Sequence, residues 1–334
     1  MNIDIPLIWA GVIAFGIFMY VVMDGFDLGI GILFPFFKER DKRDLMMNSV
    51  APIWDGNETW LVLGGAGLFA AFPLAYGVVL SALYLPLILM LLALIFRGVA
   101  FEFRFKSKRS RPVWDLSFIF GSLVATFFQG VVLGAYINGF PVENRAFAGG
   151  PFDWLAPFPL FCGVALVVGY AMLGCGWLIM KTEGELQDKM FKLMPPLTIA
   201  LGACIAIVSL WTPLAHEAIA SRWFDLPNLL YFSPVPILVL ASLAALLRSV
   251  RLKKDNQPFL LTLALIFLAY TGLAISLWPN IIPPAISFTA ASAPESSQKF
   301  ALVGVVVMVP IILMYTVYGY FVFRGKMKLG EGYH

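Results

Sequence analysis

Apolar residues run in stretches of about 20 or more, separated by short polar breaks, along the whole 334-residue chain. Nine such stretches stand out, at about 7–36, 50–72, 75–102, 114–139, 156–180, 194–216, 227–248, 258–279 and 300–323. A helix needs about 20 apolar residues to cross a bilayer, so each stretch is a candidate span. Hydrocarbon leaves every backbone amide and carbonyl to find an internal partner. No period-two alternation of a barrel is visible, so the stretches are predicted to be helices. Turn chemistry places the breaks at Phe72-Pro73, Gly149-Gly150-Pro151, Pro213, Pro227 and the segment from Pro279 to Pro284.

Composition agrees with this pattern. The chain is 60% hydrophobic and 13% charged, where soluble domains average about 45–50% and about 25%. Mean hydropathy is +0.86. A soluble enzyme, a disordered chain and a nucleic-acid-binding protein are excluded. Cys162, Cys175 and Cys204 stand singly in apolar stretches and read as small buried residues. The start, MNIDIPLIWAG, has an acid and no Lys or Arg. It lacks the basic region of a cleavable signal, so the first span is expected to be retained.

Charge distribution tests the span count. Of 23 Lys and Arg residues, 19 lie in the connections after odd-numbered spans or in the tail, from Lys38–Arg43 through Arg104–Arg111, Lys181–Lys192 and Arg248–Lys254 to Arg324–Lys328. The other side holds Arg145, Arg222 and Lys299, and Arg97 falls within a span. The positive-inside rule then puts the N-terminus outside and the C-terminus in the cytoplasm. A weak repeat echoes Gly29-Ile30-Gly31, Lys38 and Pro52 in Gly174-Cys175-Gly176, Lys181 and Pro195. The expected all-α membrane fold is therefore two four-helix bundles, at about 1–140 and 141–280, with an additional helix and tail in 281–334.

The informative side chains are those that lipid disfavours. Asp24 and Asp27 lie deep in the first span, and Asp55 and Glu58 open the second. A charge at the bilayer centre costs about 2.5–3.5 kcal/mol on insertion scales, so these acids need partners or a purpose. Asp24 stands about 17 residues, roughly 25 Å, from the outer end of its helix. All four acids can therefore gather in the cytoplasmic half of the membrane, where desolvated carboxylates suit proton entry. Arg97 is the natural counter-charge. Asn57 accompanies the acids, and Trp54 and Trp60 flank them as candidate interfacial anchors. Gln129 and Asn138 read as hydrogen-bonding groups between helices. The glycines at 25–31 and 64–67 permit close helix packing and are expected to supply surfaces for a partner.

Redox metals find little here. The histidines are His216, near the outer end of a span, and His334 at the terminus. A bis-His haem site needs a pair across helices, so this chain by itself is expected to bind neither haem nor other metal. No phosphate-binding loop, dinucleotide fingerprint, zinc motif or hydrolase elbow is present.

DGFDLGIG in the first span, MMNSVAPIWDGNETWLVLGGAGLFAAFP before and through the second, and FRGVAFEFR closing the third together closely resemble subunit II of the cytochrome bd-type quinol oxidases. The specific match covers about 17–104; span number and orientation extend it over the rest. The resemblance implies a respiratory terminal oxidase that oxidises quinol and reduces oxygen to water in the bacterial inner membrane. It places haems b and d and the quinol site in subunit I, with this chain as the haem-free partner. It puts Asp55 on the family's cytoplasmic proton path and Asp24 and Asp27 on the acids of its DGFD motif. It also leaves room for a structural quinone and a small single-span subunit. The short connection between the fourth and fifth spans is similar to the cyanide-insensitive branch. Two rivals remain: a proton-coupled secondary transporter, which midmembrane acids and a repeat also suit, and a scaffold without a proton role.

Overall fold

A computed structural model describes residues 4–284 and 286–327; Lys328 and His334 lie outside the described residues. The helices are α1 (Ile5–Leu33), α2 (Arg40–Asn48), α3 (Trp54–Ala71), α4 (Pro73–Arg104), α5 (Arg111–Asn138), α6 (Pro157–Lys181), α7 (Gly184–Ala215), α8 (Glu217–Phe224), α9 (Asn228–Phe232), α10 (Pro234–Arg251), α11 (Gln257–Leu277), α12 (Phe288–Ala291) and α13 (Glu295–Val322). A single 3-10 turn at Phe34–Phe36 and two short hairpins, β1 (Val142–Glu143) with β2 (Ala146–Phe147) and β3 (Asn280–Ile282) with β4 (Ile286–Ser287), complete the described elements.

Local chemistry explains the helix starts. Asp4 caps α1 by accepting the Leu7 amide at 3.1 Å. Prolines open the first turns of α1, α4, α5, α6, α10 and α11, where a missing amide proton leaves no bond unmade. Pro213 does not break its helix as the sequence suggested. α7 passes through it to Ala215, because apolar helices held by neighbours tolerate proline. The helix α2 and both hairpins lie in the connections between the long apolar stretches.

Eight helices are long and apolar enough to cross a membrane. α3, the second expected span, is not among them, because its first turns spend their length on Asp55, Asn57 and Glu58. It lies antiparallel along α1: Asn57 meets Asp27 at one end, and Gly64 and Gly67 face Ile17 and Ile13 toward the other.

α1 is central and packs on α3, α5 and α6. α4 pairs with α5, α6 with α7 and α11, and α10 with α11, while α13 lies against α1 and α3. The α1–α6 crossing is the tightest. A Cβ added to Gly29 would stand 1.9 Å from the Tyr170 carbonyl oxygen, and one on Gly174 would stand 2.5 Å from the Gly29 carbonyl carbon. The two glycines of the sequence repeat thus meet each other at that crossing. Gly31 faces Ser122 of α5, and Gly64 and Gly67 face α1. Gly25, Gly29, Gly31, Gly64 and Gly67 are thus used inside the chain, which corrects the expectation that these runs as a whole form a partner surface; Gly65 stays exposed.

Basic connections gather at one end. Arg104 bonds Asp44 at 2.7 Å, Arg43 bonds Asp115 at 2.8 Å, and Lys42 bonds Glu185 at 2.7 Å. That last hydrogen bond draws the Lys42 ammonium above its ordinary range. Lys253 reaches Asp188 at 2.9 Å, and Lys326 reaches Asp255 at 2.6 Å. At the opposite end the hairpins close the fold: Tyr136 donates to the Ile281 carbonyl at 2.6 Å, and the Phe140 amide to Pro283 at 3.1 Å.

Candidate functional site

Two of the four acids converge on one arginine. Arg97 projects from α4, with its side chain 0% exposed. Its Nη2 lies 2.7 Å from Asp24 Oδ1 of α1 and 3.3 Å from Glu58 Oε2 of α3. The sequence could not say which acid Arg97 meets; it meets both. Arg97 also lies over the Trp54 ring, 5.7 Å from its centroid. Trp54 in turn stacks on Phe101 at 4.9 Å with planes 6° apart. A guanidinium on an aromatic face gains cation–π attraction in addition to its ion pairs.

Asp27, one turn along α1 from Asp24, is fully buried and takes a different partner. Asn57 Nδ2 donates to Asp27 Oδ2 at 2.9 Å, and the Tyr320 hydroxyl of α13 donates to Asn57 Oδ1 at 2.9 Å. Asp55 does not enter the cluster. It is exposed on the first turn of α3 and makes no side-chain hydrogen bond or ion pair among the described residues. The reason is helical phase: three residues set Asp55 and Glu58 about 60° apart around α3, and only Glu58 is turned toward Arg97. The carboxylates are therefore graded, with Asp55 at the surface, Glu58 29% exposed and Asp24 1% exposed.

The two tryptophans that flank the acids pack against neighbouring rings. Trp60 is 1% exposed and sits edge-on to Phe15 at 5.8 Å, and Trp54 is held by Phe101. Both contacts follow from the close packing of α3 against α1 and α4. Gln129 performs as read, joining Tyr20 at 2.7 Å and Tyr170 at 3.0 Å. Asn138 is exposed at the end of α5.

The chain matches the family model for cytochrome bd terminal oxidase subunit II over residues 5–323. The chain belongs to that family. It is 31% identical to cytochrome bd-I ubiquinol oxidase subunit 2 of Escherichia coli, with 92% of this chain and 91% of that one covered. It is 29% identical to cytochrome bd ubiquinol oxidase subunit 2 of Bacillus subtilis, over 98% and 97% of the two chains. Its fold is similar to a chain of the bd oxidase of Geobacillus thermodenitrificans, with a TM-score of 0.76 at 16% identity, covering 96% of this chain and 99% of the other. With its eight long apolar helices, this subunit II family member is a multi-pass membrane protein.

Sequence reasoning missed three tyrosines. Tyr20 precedes Asp24 by one turn of the same helix, so spacing alone could have flagged it. Tyr170 and Tyr320 come from α6 and α13 and carry no such signal. Among the described residues no group of three or more His, Cys, Asp and Glu is placed to hold a metal. A separate cavity of about 360 Å³ is bounded by Leu74, Phe140, Val142, Ile282 and Ile286, with Arg145 as its one charged lining group.

Proposed function

We propose that this chain is the haem-free subunit of a bacterial inner-membrane complex that oxidises quinol and reduces oxygen to water. In this reading it packs permanently against a haem-bearing subunit I, which holds haems b and d and the quinol site. It also admits protons from the cytoplasm toward that partner. Oxygen reduction consumes protons as well as electrons, so a route from the cytoplasm is a chemical requirement of the complex. The reaction is that of the named relatives. The observation that carries the proton role is the graded series Asp55, Glu58 and Asp24, from exposed to buried within one turn of α3 and its contact with α1. A carboxylate at the surface can exchange with water, and one beside it can pass the proton inward.

The proposed orientation has nine crossings with α3 as the second, the N-terminus outside and the C-terminus in the cytoplasm. The meeting of Arg43, Arg104, Lys181, Lys253 and Lys326 at one end of the fold supports it. We also read α1, α3, α4 and α5 (within 1–140) and α6, α7, α10 and α11 (within 141–280) as two copies of one bundle, with α13 added from 281–334. Support comes from their parallel pairings: α1 with α3 and α5, α6 with α7 and α11, α4 with α5, and α10 with α11.

The test is Asp55→Asn in the purified complex. The amide keeps the shape of the side chain but carries no proton. Oxygen reduction per haem should fall severalfold while haem content and subunit ratio stay at wild-type values. Normal turnover from a well-assembled variant would leave the scaffold reading. Full activity from this chain purified without a haem-bearing partner would favour the transporter.

A further inference from the structure

The cavity at the end of the fold opposite the basic connections is built by the two hairpins. One hairpin lends it Val142 and Arg145, the other Ile282 and Ile286, and α12 adds Ala290. Main-chain carbonyls hold its frame. The Phe140 amide donates to Pro283 at 3.1 Å, the Ala148 amide to Pro141 at 2.9 Å, and Asn280 Nδ2 to Pro284 at 2.7 Å. Its volume of about 360 Å³ lies within the range of about 300–1,000 Å³ typical of ligand pockets, which are mostly apolar with a few placed polar groups.

Arg145 runs against three local rules. It is one of three basic residues, with Arg222 and Lys299, on the side that the positive-inside rule leaves nearly empty. It fills the second position of the two-residue turn between β1 and β2, with φ +63° after Asn144 at φ +47°. A turn left-handed at both positions suits Asn followed by Gly, so a long side chain stands where glycine would sit without strain. Arg145 also lacks a carboxylate. Among the described residues it makes no ion pair or side-chain hydrogen bond, and Glu143 alternates to the other face of its strand, outside the cavity lining. Strain of this kind persists where the side chain has a use.

We propose that this cavity binds an anionic phospholipid, with its phosphate on Arg145 and the first part of an acyl chain along Val142, Ile282 and Ile286. A guanidinium presents paired N–H donors that match two phosphate oxygens. Only an anion joined to an apolar tail also covers the aliphatic walls; a free phosphate would leave them wet. The cavity stands level with helix ends, beside Leu74 in the first turn of α4 and Phe140 just past the end of α5. That is the depth at which a headgroup meets its chains. Naming this leaflet the outer one rests on the orientation given above; the binding itself does not.

The test is photolabelling of the purified complex with phosphatidylglycerol that carries a diazirine near the head of one acyl chain, with labelled peptides located by mass spectrometry. Label should fall on 140–147 and on 286–290, and unlabelled phosphatidylglycerol should displace it. Arg145→Gly relaxes the turn, so the unfolding temperature should hold or rise while labelling of these segments falls by about tenfold, the worth of one charge-assisted hydrogen bond. Ala290→Phe, which fills the cavity from α12 and leaves turn and charge in place, should lower it as much. Labelling that misses these segments, or that persists in either variant, would overturn the proposal. So would equal displacement by inorganic phosphate, the mark of a free-anion site, or by uncharged diacylglycerol, the mark of an apolar crevice alone. Asp55 and turnover play no part in this experiment, so it fails separately from the proton path.

Discussion

Arg97 is held by groups from two other helices, and the cost of removing any one of them depends on what is left behind. Asp24→Asn strips the fully buried partner from a fully buried guanidinium. Breaking a buried pair from one side typically costs about 3–5 kcal/mol, so reduced assembly and a lower unfolding temperature of the complex are expected. Glu58→Gln removes a partner at 3.3 Å that is 29% exposed, and Arg97 keeps Asp24. Assembly should survive and oxygen reduction should fall, the reverse ranking of the two variants. Thermal unfolding measured beside turnover per haem checks both. If the two variants lose stability equally, the acids do not differ in the way their burial implies.

At the scale of elements, the α1–α6 crossing depends on the absence of two side chains. Gly29→Ala would drive a methyl group into the Tyr170 carbonyl, 1.9 Å away, and backbone cannot rotate aside as a side chain can. Overpacking of this kind costs typically about 1–3 kcal/mol and more where backbone must shift. The expected outcome is a markedly lower unfolding temperature, with α1 and its Asp24 displaced from α5 and α6. Gly65→Ala is the matched control: a Cβ there meets nothing within 4 Å. In a helix it should be neutral or stabilising by up to about 1 kcal/mol.

Across the whole molecule, α13 is the outlier. It comes last in the chain, and the most hydrophobic window along it is 0% buried, yet it supplies Tyr320 to the Asp27–Asn57 pair. Its C-terminal end is tied down by Lys181, which donates to the Phe323 and Gly325 carbonyls, the latter at 3.3 Å, while the Met327 amide returns to the Lys181 carbonyl at 2.8 Å. Lys326 adds its pair with Asp255. A cation at the last carbonyls of a helix both fills their lone pairs and suits the helix dipole. Lys181→Met should therefore loosen the tail first. Limited proteolysis of the purified complex should cut after Phe323 severalfold faster, with cleavage elsewhere unchanged.

The parts legible in the sequence are those governed by local rules. Span positions follow from apolar length, the gathering of basic loops follows from their charge, and the DGFD and WDGNE acids announce themselves because lipid makes them costly. Even Gln129 was readable as a helix-to-helix bond, since a buried amide must find partners. Tertiary structure alone decided which acid stands where. Asp55 and Glu58 differ by three residues, and only the rotation of α3 on α1 sends one outward and the other to Arg97. It also turned Gly29, Gly31, Gly64 and Gly67 inward, buried Trp60, and brought Tyr170 and Tyr320 to the cluster from more than 140 residues away in sequence, as with the Tyr20–Tyr170 link. Periodicity and cost are properties of a helix by itself, whereas a partner is a property of two surfaces, and only packing brings the second one into place.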